Sequence, residues 1–460
     1  MEQNNLKPTT ILIIVSMGFF MVCLDATVVN VALNNLKMSF NANLTDLQWI
    51  VDSYTIAFAT LLLSAGSLGD LLGPKKVFCI GLIIFTVASF MCGIAQTLSF
   101  LVFSRVIQGI GAALLVANSL SLLQQVFKEP ADRAKAFGVW GGLGGVATAI
   151  GPVAGGLLIA KFGWPSAFLL NLPFGGFAIF MAQRHIPEIK TSPCEIKPMA
   201  QIFIAASLGA LAYTFIAAGS QGWYSTKVIV SSCIFIITGL GFVLIEKDSN
   251  QPILPKGIFH SRKFTAATIV GLIINLGFYG QLFIISLYFQ QIKSYSTMVS
   301  GFALLPQAVI MAMTAYYCGK ATAKLGAGIP MIIGLLSTLI GLAGLISTNA
   351  ASSYVGVLIP MLLTGFGMSS IAPATVAACM SSAPVGQGGI TSGIINAARQ
   401  SGSVMGVAIL GSVLGNQNLT LHTMHLALLI TVPLYLFALG LTVVWILPGN
   451  ALITQPAPKG

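Results

Sequence analysis

Long apolar runs recur along this chain from one end to the other, and nothing else constrains its fold as much. Fourteen can be bounded, at residues 10–36, 45–69, 75–96, 98–124, 133–160, 165–184, 199–218, 226–246, 263–291, 297–320, 330–349, 352–379, 387–414 and 422–446. At 1.5 Å per residue, each can cross a hydrocarbon layer about 30 Å thick as a helix. Lipid offers no water to satisfy backbone N–H and C=O groups, so each run must close its hydrogen bonds within itself. A barrel would instead show alternating strands of about ten residues. Composition agrees with spanning helices. Only 7% of residues are charged, against about 25% in a soluble domain, too few to coat a water-facing surface. The expected fold class is an all-α membrane protein with fourteen transmembrane helices.

The formal net charge of +11 has a loop origin. With both termini placed inside, the inner loops hold sixteen Lys and Arg residues and the outer loops hold four, Lys37, Lys161, Lys227 and Lys293. This positive-inside bias fixes the orientation. It also argues against nucleic acid as a partner, because the charges form no basic stripe. The partners expected are the lipid bilayer, protons and a small-molecule substrate. The seven cysteines are scattered through apolar runs without metal-ligand spacing, so neither a metal nor a disulfide framework is expected. No phosphate-binding loop appears and no cofactor is implied, which leaves an ion gradient as the energy source. Nothing points to an enzyme. Trp140, Trp164, Trp223 and Trp445 fall near segment ends, as an interfacial belt would place them.

The chain repeats itself weakly. GSLGDLLG at Gly66–Gly73 returns as GKATAKLG at Gly319–Gly326, an offset of 253, and QGIG at Gln108–Gly111 returns as TGFG at Thr364–Gly367, an offset of 256. Two six-helix bundles follow, residues 1–197 and 262–460, with two further helices and a cytosolic loop between them at 198–261. A transporter made of two such halves places its site at the seam.

Ionisable groups inside the spans are the candidate site, because charge at membrane depth is costly. Asp25 lies about 16 Å below the outer end of helix 1, Asp52 about 12 Å below that of helix 2, and Arg105 about 10 Å below that of helix 4. This shared level makes a proton-coupling layer. Either Asp can instead bond a neighbour such as Thr27 or Asn30 and only pack. Gln108 lies one turn below Arg105, and Trp49 shares a face with Asp52. Trp49, Gln108, Asn30, Gln281, Gln307, Asn396 and Arg399 are the candidates for the substrate path. Arg399 sits mid-helix three residues after Asn396, and the second half holds no intramembrane acid. Two Asp and two Arg cancel, so charge does not choose between cationic and anionic cargo.

These strings resemble the major facilitator superfamily, and within it the multidrug-efflux type of drug:proton antiporter with fourteen spans. LDATVVNVAL at Leu24–Leu33 resembles the first-helix motif, with Asn34 where a proline is usual, and QWIVDSY at Gln48–Tyr54 resembles the second. The loop motif lies at Gly66–Lys75, with Leu71 and Pro74 in place of two arginines. RVIQGIGAA at Arg105–Ala113 is similar to the fourth-helix motif. GPVAGG at Gly151–Gly156 is similar to the antiporter motif, with Ala147 where a glycine is usual. AARQSGSVMGVAILG at Ala397–Gly411 is similar to the thirteenth-helix pattern.

The resemblance implies a major facilitator fold and a proton-coupled antiporter exporting small organic compounds or drugs. It implies a role in proton transfer for Arg105. It implies a latch between the halves built on Asp70 with Gly66, Gly73 and Lys75; the second copy has Ala323 where Asp70 stands. It implies a sealed contact with the other half at Gly151, Pro152, Gly155 and Gly156. The expected setting is a bacterial inner membrane, with a multi-pass monomer and both termini cytoplasmic. The missing arginines and the acid-free second half keep open a transporter of one specific metabolite, exported or taken up.

Overall fold

The computed structural model describes residues 8–127, 129–188, 198–247, 258–382, 388–415 and 419–448. Each of the fourteen apolar runs forms a helix: α1 Pro8–Phe40, α2 Leu44–Leu72, α3 Pro74–Gly93, α4 Leu98–Val126, α5 Pro130–Phe162, α6 Ser166–His185, α7 Pro198–Gln221, α8 Thr226–Lys247, α9 Arg262–Leu287, α10 Thr297–Leu325, α11 Gly328–Ile346, α12 Tyr354–Ser381, α13 Gly388–Leu414 and α14 Leu421–Leu441. Twelve are long and apolar enough to cross a membrane. The other two, α2 and α13, are 29 and 27 residues long. They carry Gln48, Asp52 and Arg399 and pack against each other.

Local chemistry sets the helix ends. Asn43 accepts from the Asp46 N–H while the Asp46 carboxylate accepts from the Asn43 N–H, a capping box that starts α2. Gly73 ends it at φ +92°, a conformation glycine reaches without a Cβ penalty, and Pro74 opens α3 at once. Ser296, Ser353 and Thr420 cap α10, α12 and α14 in the same way. One run departs from expectation. α6 breaks at Leu170, between Ser166–Leu169 and Asn171–His185. Pro173 has no N–H to give the Leu169 carbonyl, which accounts for the break.

α1–α6 form one bundle and α9–α14 a second, while α7 and α8 pair with each other and α7 lies over α2 and α13. The halves meet along two seams, α2 with α13 and α5 with α10. At the lysine-poor end both are tight. Gln48 Nε2 donates to the Val407 and Ala408 carbonyls at 3.2 and 3.3 Å. A Cβ on Gly301 would collide with the Pro152 carbonyl oxygen, and one on Gly156 would sit 3.2 Å from Met298 Cα. Thr297 Oγ1 donates to Asn35 Oδ1 at 2.7 Å, and Gln290 Nε2 to the Val31 carbonyl at 3.3 Å.

Towards the lysine-rich end the same helix faces part company. Eighteen residues are five helical turns and return to the same face. Gly66 therefore faces as Gln48 does, and Gly319 as Gly301 does, yet a Cβ on either would meet nothing within 4 Å. Gly145 and Gly141 continue the Pro152–Gly156 stripe of α5 and also face open space. The halves form a V, shut at one end and splayed at the other.

The repeat offsets read from the sequence relate the two seams. At offsets of 253 for α2 on α10 and 256 for α5 on α13, Gln48 answers to Gly301 and Pro152 to Ala408. Gln48–Ala408 and Gly301–Pro152 are thus the two equivalent contacts of a pseudo-twofold.

Candidate functional site

The polar heart of the first half lies among α1, α2, α3, α4 and α6. Asp25 is 1% exposed and Arg105 is 1% exposed. Arg105 Nη1 meets Asp25 Oδ2 at 2.5 Å, close enough for a charge-assisted bond. The same nitrogen donates to Gln108 Oε1 at 2.7 Å. Gln108 Nε2 in turn donates to Asp25 Oδ1 at 2.8 Å and to Ser89 Oγ at 2.8 Å. Asn171, presented by the break in α6, donates from Nδ2 to Asp25 Oδ1 at 3.1 Å. Arg105 Nε donates to the Ile50 carbonyl at 3.1 Å, and the guanidinium lies 4.2 Å from the Tyr54 ring centroid. The spacing of α4 makes this possible. Arg105 and Gln108 are three residues apart and share a face, and Gly109 and Gly111 let α4 approach the α2 and α3 backbones.

Sequence reasoning did not reach Asn171, Ser89 or Tyr54. For Asn171 a signal existed: it is the one amide in the NLPFGG string, two residues before a proline. Ser89 and Tyr54 gave none.

Asp52 is not part of this network. Ile50 and Tyr54 turn towards Arg105, and Asp52, about 200° round the helix from Ile50, faces the other way. It is fully buried on the Gln48 side, at the α2–α13 seam, and neither carboxylate oxygen has a hydrogen-bond partner. The expected single layer of Asp25, Asp52 and Arg105 is therefore two sites on opposite faces of α2.

Trp49 also turns out of the cleft. Its ring lies 5.9 Å from that of Tyr213 on α7, beside a lateral cavity of about 500 Å³ reaching Lys227 and Ser231. Asn30 donates to the Ala26 carbonyl of its own helix at 2.9 Å. Trp140 stacks on Phe19 at 3.7 Å and donates to Ser119 Oγ.

In the second half, Gln281 and Gln307 both donate to Thr364 Oγ1, at 2.9 and 3.1 Å. At the repeat offset of 256, Gln281 answers to Asp25, Thr364 to Gln108 and Met361 to Arg105; at 253, Gln307 answers to Tyr54. The second half holds an uncharged copy of the same cluster, with buried Met361 in the place of the arginine. Arg399, on α13 with Asn396, is half-buried. Its Cγ lies against α9, 3.4 Å from where a Cβ on Gly271 would sit, and its charge reaches Cys23 of α1 and Tyr279 of α9.

Gly151 and Gly155 face α1, where a Cβ would strike Thr27 or Val28, while Pro152 and Gly156 face α10. The glycines of this string thus join three helices at one level. In the loop motif, Gly73 makes the turn and Lys75 Nζ donates to the Gln183 carbonyl at 3.3 Å. The side chains of Asp70 and Ala323 lie outside the described residues. No group of three or more metal-ligating side chains occurs among the described residues.

Comparison with known proteins places this geometry. The chain is 32% identical over 414 residues to a methylenomycin A resistance protein of Bacillus subtilis, covering 90% of this chain and 89% of the relative. It is 32% identical over 404 residues to the multidrug resistance protein Stp of Mycobacterium tuberculosis, covering 88% and 75%. In fold it matches a solved peptide transporter POT with a TM-score of 0.72 at 13% identity, over 98% of this chain and 96% of that one. Residues 15–407 match the Major Facilitator Superfamily, and the chain is a member of that family of membrane transporters.

Proposed function

We propose that this chain exports small organic compounds across a bacterial inner membrane in exchange for protons. The relatives named for antibiotic and multidrug resistance supply the direction and the class of cargo. The observation that carries the coupling is the Asp25 cluster: one carboxylate, buried in an otherwise apolar bundle, held by an arginine and two amides from two other elements.

In this reading the lysine-rich end is cytoplasmic, both termini lie inside, and the splayed V is the state that receives cargo. The bundles comprise residues 1–197 and 262–460, joined by 198–261, and one chain suffices. A proton on Asp25 removes the charge that Arg105 answers. Parting a buried pair costs about 3–5 kcal/mol, so proton arrival and a shift of α4 against α1 occur together. Asp52 takes the second role. A charge buried without a donor is expensive, so the shut α2–α13 seam holds Asp52 as the neutral acid. Opening that seam exposes it to the periplasmic side, where it exchanges its proton. Gly151, Pro152, Gly155 and Gly156 keep the α5–α10 seam too close for leak.

The test is proton-gradient-driven efflux in inverted membrane vesicles, with Asp25→Asn and Asp52→Asn beside the parent. The expected result is a loss of coupled flux of at least tenfold in Asp25→Asn. Coupled transport at the parental rate in both variants would sink the proposal.

A further inference from the structure

We propose that Arg399 selects the cargo, and that the cargo is an organic carboxylate. This rests on the export reading above but goes further, since that reading leaves the charge of the substrate open.

No aspartate or glutamate follows Asp248 in the sequence, so the whole second half offers Arg399 no acid of its own. The two acids buried within the described spans of the first half are placed elsewhere. The Asp25 carboxylate is already held by Arg105, Gln108 and Asn171 inside its own bundle. Asp52 is buried one turn along α2 from Gln48, which donates to the Val407 and Ala408 carbonyls of α13. Arg399 is five residues from Val404 and about 140° round the helix from it. Arg399 makes no salt bridge with any described carboxylate, and its Nε, buried, has no acceptor.

The surroundings of Arg399 are those of a binding site. Asn396–Ser401, a turn and a half of α13, are neither buried nor exposed. The stem of the side chain packs against Gly271 of α9, and Cys23 of the first half and Tyr279 of the second lie within range of its charge. Towards the lysine-rich end the halves leave open space at Gly66, Gly145 and Gly319. A guanidinium at membrane depth must find a counter-charge or water, and its planar fork fits a carboxylate with two parallel bonds. Tyr279 adds an aromatic face for an apolar tail. With Asp25 neutralised by Arg105, the unanswered charge between the halves is positive.

Thermal stabilisation of the purified full-length protein in nanodiscs tests this. The probes are a panel of small aromatic carboxylates that includes 1-naphthoate, each with its methyl ester and the matching trimethylammonium compound. Stabilisation is expected from carboxylates and not from their partners. Arg399→Gln should weaken carboxylate binding at least tenfold, Arg399→Lys should retain part of it, and Arg399→Glu should move the preference to trimethylammonium compounds. Elution and unadorned melting of each variant show that it is folded. Stabilisation by the ammonium or ester compounds equal to that by the acids would overturn the inference. So would carboxylate binding unchanged in Arg399→Gln, or no stabilisation by any acid. Proton-driven export of cations with Arg399→Gln unaffected would end this inference and leave antiport standing. Carboxylate binding without proton-coupled flux would do the reverse.

Discussion

At the scale of single residues, Asp25 and Arg105 behave as one object. Replacing Asp25 by Asn leaves a buried guanidinium without its counter-charge, at a cost of about 3–5 kcal/mol. Replacing Arg105 by Gln as well removes that orphan. The double variant is therefore expected to melt nearer the parent than Asp25→Asn does, a non-additive cycle readable by thermal unfolding in detergent. The uncharged copy gives a contrasting prediction. Thr364→Val strips Gln281 and Gln307 of a shared acceptor and should cost about 1–3 kcal/mol of stability. It should leave the number of protons moved per substrate unchanged, as vesicle flux ratios would show. The sequence alone displayed Asp25, Arg105 and Gln108, because charge and amide stand out in apolar helices. It did not show that Asp52 turns away from them. Depth along a helix is readable from counting residues, but which neighbour each face meets depends on packing between segments far apart in the chain.

At the scale of elements, the break in α6 and the glycines of the seams govern how helices meet. Pro173→Ala restores an N–H to face the Leu169 carbonyl. Straightening α6 would turn Asn171 away from Asp25, so weaker coupling is expected with no loss of melting temperature. Gly301→Val places two methyls against the Pro152 carbonyl. This variant cannot shut the lysine-poor end and should favour the opposite state. A cysteine at Gly319, in a background without native cysteines, should then react more slowly with an impermeant thiol reagent than it does without Gly301→Val. All fourteen helices were legible as apolar runs. The α6 break was not, since one proline in a span of 20 residues does not reveal whether the helix bends or stops. α2 and α13 show the opposite difficulty. α2 turns Gln48 against α13 of the other half, while Arg399 of α13 lies beside Gly271 of α9.

At the scale of the whole molecule, the V shape and the charge bias together make a directional claim. If the splayed end is cytoplasmic, a cysteine at Gly66 or Gly145 is labelled from the cytosolic side and protected from the periplasmic side. The reverse labelling pattern would invert the orientation. If cargo is anionic, its export and the return of a proton both move charge in the favourable sense. Each charge is worth about 2.3 kcal/mol per 100 mV, so membrane potential alone, with the pH gradient collapsed, should still sustain efflux in vesicles. The repeat was visible as two short strings at nearly one offset. Its consequence, contacts that answer each other across a pseudo-twofold, needed coordinates.

The uncharged twin of the Asp25 cluster means that the lobes share an ancestry of form but have parted in trade. In the proposed cycle one arm tends the hydrogen ion while the other, without an acid in its sequence, meets the passenger. Grafting Gln281→Asp with Met361→Arg would ask the second arm to resume the first arm's work.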